Sequence, residues 1–348
     1  MEGAESGFVA AWKWIRRNAS TMFFFGGFIW DSVALHRGSK PWDLWLLLIY
    51  MCLSIVVLAL IGREIKPKRE EWFNWVLQFC FGGTLASLTV LYFISAASLP
   101  SLIFILFLAV VLVANEYLES RYGHMTVSLT MFAVGSMMYL NFAIPVVLKS
   151  VKPVWFYVST ALGLGIAFLL RRFAITDKVS FKPALVAGVV FVLLFLLKWI
   201  PPVPIVKREM IVCRELQRAP QTATAMVEAP PWWHFWKRSE STVHLRPGEK
   251  VYCYTAVFLP PGVETKIVHQ WYYHDPNKGW TKDLRIVVPV RGGRDDGWRM
   301  WSYKWNFAAG DWRVYAETEN GQVVAVAHFT VVPVPAGTAV DFKPIAMR

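Results

Sequence analysis

The stretch Ala184–Ile200, ALVAGVVFVLLFLLKWI, runs directly into Pro201-Pro202-Val203-Pro204, and this junction decides the fold. Its apolar part carries one charge, Lys198, and is close to the roughly 20 residues a membrane-spanning helix needs. A double proline cannot continue a helix, because each ring removes a backbone donor and clashes with the preceding turn. The helix must therefore end by Ile200, and whatever follows is a different kind of structure.

Upstream of the junction, apolar stretches recur at Asn18–Leu35, Trp42–Ile61, Phe73–Ile94, Leu99–Glu116, Met125–Leu148 and Val154–Phe173. With the last stretch they make seven expected spans, the first interrupted by Gly26-Gly27 and Asp31. The chain is 55% hydrophobic, above the roughly 45–50% of soluble domains, and a bilayer accounts for the excess. The basic N-terminus precedes an apolar stretch, but no small-residue cleavage pattern follows, so the segment is expected to be retained.

The net charge of +12 does not point to nucleic acid. Residues 1–203 hold 17 Lys and Arg against 10 Asp and Glu, and most of this excess lies in short loops, where it sets orientation. With seven spans, one side collects Lys13, Arg16, Arg17, Arg63, Lys66, Lys68, Arg69, Arg121, Arg171, Arg172, Lys178 and Lys182. The other collects only Arg37, Lys40, Lys149 and Lys152. The first side is expected in the cytoplasm and the C-terminal domain outside it.

Downstream, the pattern becomes β. Glu209–Leu216 reads as a first strand, and Arg218–Arg246 as a long connection containing Trp232, Trp233 and Trp236. Lys250–Phe258, Thr265–Tyr273, Leu284–Val290, Gly297–Phe307, Asp311–Thr318 and Gln322–Val331 are rich in Val, Tyr, Trp and Thr and separated by turn residues. Asn320-Gly321 is a strong hairpin signal, since a type I′ turn needs positive φ at both central positions. The expected architecture is an all-α transmembrane bundle over residues 1–203, an antiparallel β-sandwich-like domain over 204–335, and a disordered tail over 336–348.

Several motifs together resemble a known bacterial family. They are Phe25-Gly26-Gly27-Phe28-Ile29-Trp30-Asp31, Ile200-Pro201-Pro202-Val203-Pro204, His269-Gln270-Trp271-Tyr272, Gly297-Trp298-Arg299-Met300-Trp301-Ser302-Tyr303-Lys304 and Gly310-Asp311-Trp312-Arg313-Val314. Members of that family join a polytopic membrane region to a C-terminal, tryptophan-rich domain of unknown function. The resemblance implies a multi-pass protein of the bacterial inner membrane with an envelope-facing, periplasmic domain. It carries over no catalytic residue.

Catalytic templates are weak along the chain. Glu116 and Glu119 share a helix face, with Arg121 and His124 near, but local pairing at a charged helix end explains them better than an intramembrane enzyme does. Asp31 is costly at membrane depth, and a place near the interface, capping a helix end or pairing with Arg37, is the favoured reading. Five of seven histidines, His234, His244, His269, His274 and His328, lie in the C-terminal domain without zinc-ligand spacing, so no metal or cofactor is expected. Its serines sit in no nucleophile elbow.

Cys52 and Cys80 fall within spans, where cysteine acts as a small hydrophobe. Cys213 and Cys253 fall in the outer domain and are candidates for a disulfide, which the sequence leaves open because a bridge depends on Cα separation.

Nine of eighteen tryptophans lie beyond residue 203, more than a small β-domain buries. Alternation puts Arg299, Trp301, Tyr303 and Trp305 on one face of their strand, and Arg313 and Tyr315 outward if Trp312 and Val314 point inward. These six form the candidate ligand-binding set, suited to an envelope glycan, a lipid or a membrane-protein partner; packing as core is the competing reading. The leading expectation is a non-enzymatic envelope binding protein in contact with membrane lipids. A small-solute or lipid transporter is second, and an intramembrane enzyme third.

Overall fold

In a computed structural model of the protein, the structure describes residues 41–62, 67–117, 125–175, 179–218, 223–230 and 239–347. The helical half contains α1 (Pro41–Ile61), α2 (Pro67–Ser95), α3 (Leu99–Tyr117), α4 (Met125–Val147), α5 (Pro153–Ala174) and α6 (Lys182–Leu196). Six helices therefore stand among the described residues, and the expected first span, Asn18–Leu35, lies outside them. Leu44–Ile61, Trp72–Ser95, Met125–Val147 and Pro153–Ala174 are long and apolar enough to cross a membrane. Leu99–Val111 and Lys182–Leu196 are shorter apolar helices.

Small residues and a few polar ties hold these helices together, as expected where burial against lipid supplies little net driving force. A Cβ on Gly163 of α5 would lie 2.8 Å from the Met137 backbone of α4, so the glycine permits that approach. Asn141 Nδ2 of α4 donates to the buried Tyr92 hydroxyl of α2 at 2.9 Å. Phe156 and Phe195 stack at 3.8 Å between α5 and α6.

The C-terminal half is a β-sheet domain of eleven described strands: β1 (Val206–Cys213), β2 (Glu215–Arg218), β3 (Ala223–Glu228), β4 (Thr242–Leu245), β5 (Lys250–Phe258), β6 (Glu264–Asp275), β7 (Gly279–Arg291), β8 (Trp298–Trp305), β9 (Gly310–Thr318), β10 (Val323–Pro333) and β11 (Phe342–Met347). They form three sheets, ordered β4-β10-β9-β6-β7, β1-β5-β8 and β11-β3-β2. One compact unit comprises Ser95–Leu102, Pro145–Pro153 and Ile200–Arg348, and most of the helical region forms the other.

The β1-β5-β8 sheet contributes to buried clusters on both its faces. Val257 and Met300 join Ile267, Val290 and Ala316 of the five-stranded sheet, while Ile211, Tyr254 and Ala256 join Ala225, Val227 and Met347 of the third sheet. This explains why β5 reads KVYCYTAVF, a nearly continuous apolar run and not an alternating one. The expected β9–β10 hairpin forms at Asn320-Gly321, but only Gly321 takes positive φ, at 80°, so the turn is not the type I′ that the pair suggests. Gly292 is needed for a closer reason: a Cβ there would meet the Pro260 carbonyl oxygen at 1.9 Å.

Three findings depart from the sequence expectation. β4 pairs with β10 in parallel, so the strands are not all antiparallel. The connection Arg218–Arg246 contains β3 and β4. The tail expected to be disordered contains β11, which pairs antiparallel with β3 from Phe342↔Glu228 to Met347↔Ala223. Met347 is fully buried in the cluster under β3, and that anchoring offsets the ordering cost of the tail.

Candidate functional site

β8 is an edge strand of its sheet, and its alternation separates two chemistries. Met300 and Ser302 point into the core. Trp301, Tyr303 and Trp305 point out and remain 38%, 42% and 48% exposed. Core tryptophans of the same domain contrast sharply, Trp271 being 0% and Trp312 2% exposed.

The β5–β8 register sets Tyr252 opposite Tyr303 and Lys250 opposite Trp305. The Tyr252 and Tyr303 rings lie 5.5 Å apart, and those of Tyr303 and Trp305 5.6 Å apart. Lys250 Nζ sits 5.3 Å from the ring centres of both Tyr303 and Trp305, within cation–π range. The result is a continuous aromatic surface with one ammonium resting on it. Beside it, a cavity of about 530 Å³ follows the β8 edge from Trp301 to Trp305 and is closed on the far side by Asp283, Leu284 and Ile286 of β7. Lys304 Nζ pairs with Asp283 Oδ2 at 3.0 Å, placing both charges at that cavity.

Arg313 and Tyr315 belong elsewhere. They leave the outer face of the five-stranded sheet, opposite Tyr272 and Gln270 of β6. Arg313 lies over three rings there, with its guanidinium carbon 4.0 Å from Trp280, 5.0 Å from Tyr272 and 5.2 Å from Tyr315. The six candidate residues thus divide into a β8 row and a separate arginine-centred cluster on another sheet. Arg299 shares the β8 face and is half-buried.

Lys250, Tyr252 and Asp283 were outside the candidate set, as were Tyr272 and Trp280. Alternation within each strand was visible, but which strands pair is a long-range property with no local sequence signal.

A Ser–His contact also exists. His269 Nδ1 lies 2.8 Å from Ser302 Oγ, which accepts a hydrogen bond from Trp271 Nε1 at 3.0 Å. Ser302 Oγ can donate to Nδ1 or accept from it, and His269 Nε2 is buried without a hydrogen-bond partner. Burial pushes His269 down to about 4, keeping it neutral. All three side chains are buried, so the trio acts as a polar tie between sheets and offers no surface to a substrate.

Cys213 and Cys253 are buried free thiols. The register pairs Cys253 with Val212 and Cys213 with Tyr252, so the two leave opposite faces of one sheet and enter different clusters. No bridge joins them, and that is the physical reason. Burial pushes the Cys213 thiol up to about 12 and Cys253 higher still. Among the described residues no group of three or more His, Cys, Asp or Glu could hold a metal. Of the polar helix-end candidates, Asp31, Glu119, Arg121 and His124 lie outside the described residues, as does the Glu116 side chain.

A family model described as a protein of unknown function, DUF2914, matches residues 264–331. This interval runs from β6 into β10 and includes all six candidate ligand-binding residues. No curated protein matches the chain. Among solved structures, a β-glucosidase from Listeria innocua in complex with isofagomine is similar at 12% identity over 36% of this chain and 16% of its own, with a TM-score of 0.20. A Pseudomonas fluorescens alkylpurine DNA glycosylase, AlkC, bound to DNA with an abasic site analog, is similar at 10% identity over 77% and 82%, with a TM-score of 0.21. The chain thus spans about a sixth of the glucosidase, and neither likeness is close enough to carry an argument about fold or activity.

Proposed function

We propose that this is a non-enzymatic, multi-pass protein of the bacterial inner membrane whose periplasmic β-domain binds an envelope glycan, lipid or protein through the β8 aromatic row. The observation that carries the reading is the contrast within one domain: Trp271 and Trp312 fill the core, while Trp301, Tyr303 and Trp305 stand side by side and partly open to solvent. Large rigid aromatic side chains lose little conformational freedom on binding and give much contact area, which is why such residues dominate recognition surfaces. Asp283 and Lys304 at the adjoining cavity supply the polar groups that would orient a ligand.

Two observations support the membrane arrangement. The turn segments Ser95–Leu102 and Pro145–Pro153, after α2 and α4, share a compact unit with the β-domain, as successive antiparallel spans require. In sequence, Arg171 and Arg172 at the end of α5, Lys182 at the start of α6, and Arg63, Lys66 and Lys178 between helices gather at the alternate connections, the pattern of a cytoplasmic side. A seventh span over Asn18–Leu35 would put the N-terminus in the cytoplasm.

The experiment is photo-crosslinking in cells with a benzophenone amino acid at Tyr303, compared with Val287, which is exposed on the outer face of β7. An adduct specific to position 303 is expected. Equal labelling at both positions, or none at 303, would contradict the reading.

A further inference from the structure

We propose a second site: the cavity at the end of the β-domain that carries the α4–α5 turn takes the phosphate headgroup of an anionic phospholipid. The cavity measures about 540 Å³ and is lined by Ser150 and Lys152 of the turn with Lys266, Arg291 and Trp298 of the domain. It rests on the reading of α4 and α5 as spans.

Its level relative to the bilayer follows from the chain. Residues 148–152 connect α4 to α5, so if both helices cross, this turn emerges in the headgroup zone. The turn is fixed to the domain. Ser150 bridges Glu264 of β6, the Glu264 amide donates to the Lys149 carbonyl at 3.2 Å, and Val151 packs on the core cluster around Ile267. At the same end Gln322 Nε2 donates to the Ile200 carbonyl at 3.0 Å, just beyond α6. The walls of the cavity are thereby held where the chain enters and leaves the membrane.

The lining chemistry fits that level. Trp298, with Arg294 at 5.1 Å over its ring, is an aromatic of the type enriched at headgroup depth. Arg291 pairs with Glu264 and Lys266 with Glu319, each at 3.3 Å. Both pairs are solvent-exposed, so they hold the cations at the mouth without neutralising them strongly. Lys152 is an exposed third cation, leaving the site positive against its two carboxylates. Each such cation near an anionic surface contributes about fivefold in affinity.

The test uses the full-length protein in mild detergent, given equimolar phosphatidylglycerol and phosphatidylcholine, with retained lipid read by native mass spectrometry. Wild type should retain phosphatidylglycerol preferentially. Lys152→Gln/Arg291→Gln should lose about 25-fold of that preference with phosphatidylcholine unchanged, and Lys152→Gln alone about fivefold. Protection of Cys213 from maleimide reports whether each variant keeps its fold, and the single variant carries the test if the double one unfolds. No preference in wild type, or an unchanged preference in a folded variant, overturns the proposal. Displacement of phosphatidylglycerol by millimolar inorganic phosphate would make this a free-anion site and overturn the lipid assignment. Extraction of the wild type from membranes by alkaline carbonate would instead overturn the spanning reading and the site with it.

Discussion

His269 Nδ1 and Ser302 Oγ meet at 2.8 Å across the core, joining β6 of the five-stranded sheet to β8 of the three-stranded one. Burial holds the imidazole near 4, because the charged form loses its solvation there. Unfolding returns it to about 6.5. The unfolded chain therefore binds a proton that the folded chain does not between those values. Stability from this group is fully present above pH 6.5 and is lost as pH falls toward 4, by about 3 kcal/mol. Denaturation of the detergent-solubilised protein across that interval should show the loss, and His269→Gln should flatten it. An unchanged slope in the variant would contradict the assignment.

Trp271 donates to the same serine and is fully buried, so Trp271→Ala removes both a core ring and a hydrogen bond. The expected cost is about 3–5 kcal/mol, enough to deplete the protein from the membrane fraction on an immunoblot.

The two β-domain thiols should be silent in the folded protein and reactive when unfolded. Maleimide should leave Cys213 and Cys253 unlabelled in the native state, because their thiols are buried and held protonated. In denaturant without reductant, mass spectrometry should find both labelled. Protection of both under those conditions would show a bridge.

The orientation predicts an active alkaline phosphatase fused after Arg348 and an inactive one fused after Lys178. The opposite pattern would reverse the topology.

The helical half and the strongest strands were legible because their signals are local. The apolar spans predicted at Trp42–Ile61 and Met125–Leu148 match α1 and α4 to within a residue, and Lys250–Phe258 is β5 at both ends. The Asn320-Gly321 pair marked the β9–β10 hairpin, although only Gly321 takes the positive φ expected of both. What escaped were features that depend on distant partners. β11 forms only because β3 and its apolar cluster receive it, and a six-residue tail carries little signal of its own. Alternation put Trp301, Tyr303 and Trp305 on one face of their strand without deciding whether that face is open, and it could not reveal that Lys250 and Tyr252 complete their surface or that Arg313 and Tyr315 lie on another sheet.

The central claim is that the β8 row is a recognition surface, and Trp301→Ala/Trp305→Ala tests it most directly. Because about half of each ring is open to solvent, the double change should cost well below the roughly 3–5 kcal/mol of a fully buried ring at each position. The measurement is the level of the variant in the membrane fraction together with the material that co-purifies from detergent. Near wild-type abundance with loss of a co-purifying glycan, lipid or protein is expected. A variant that vanishes from the membrane, or one that is abundant and retains everything the wild type binds, would contradict it.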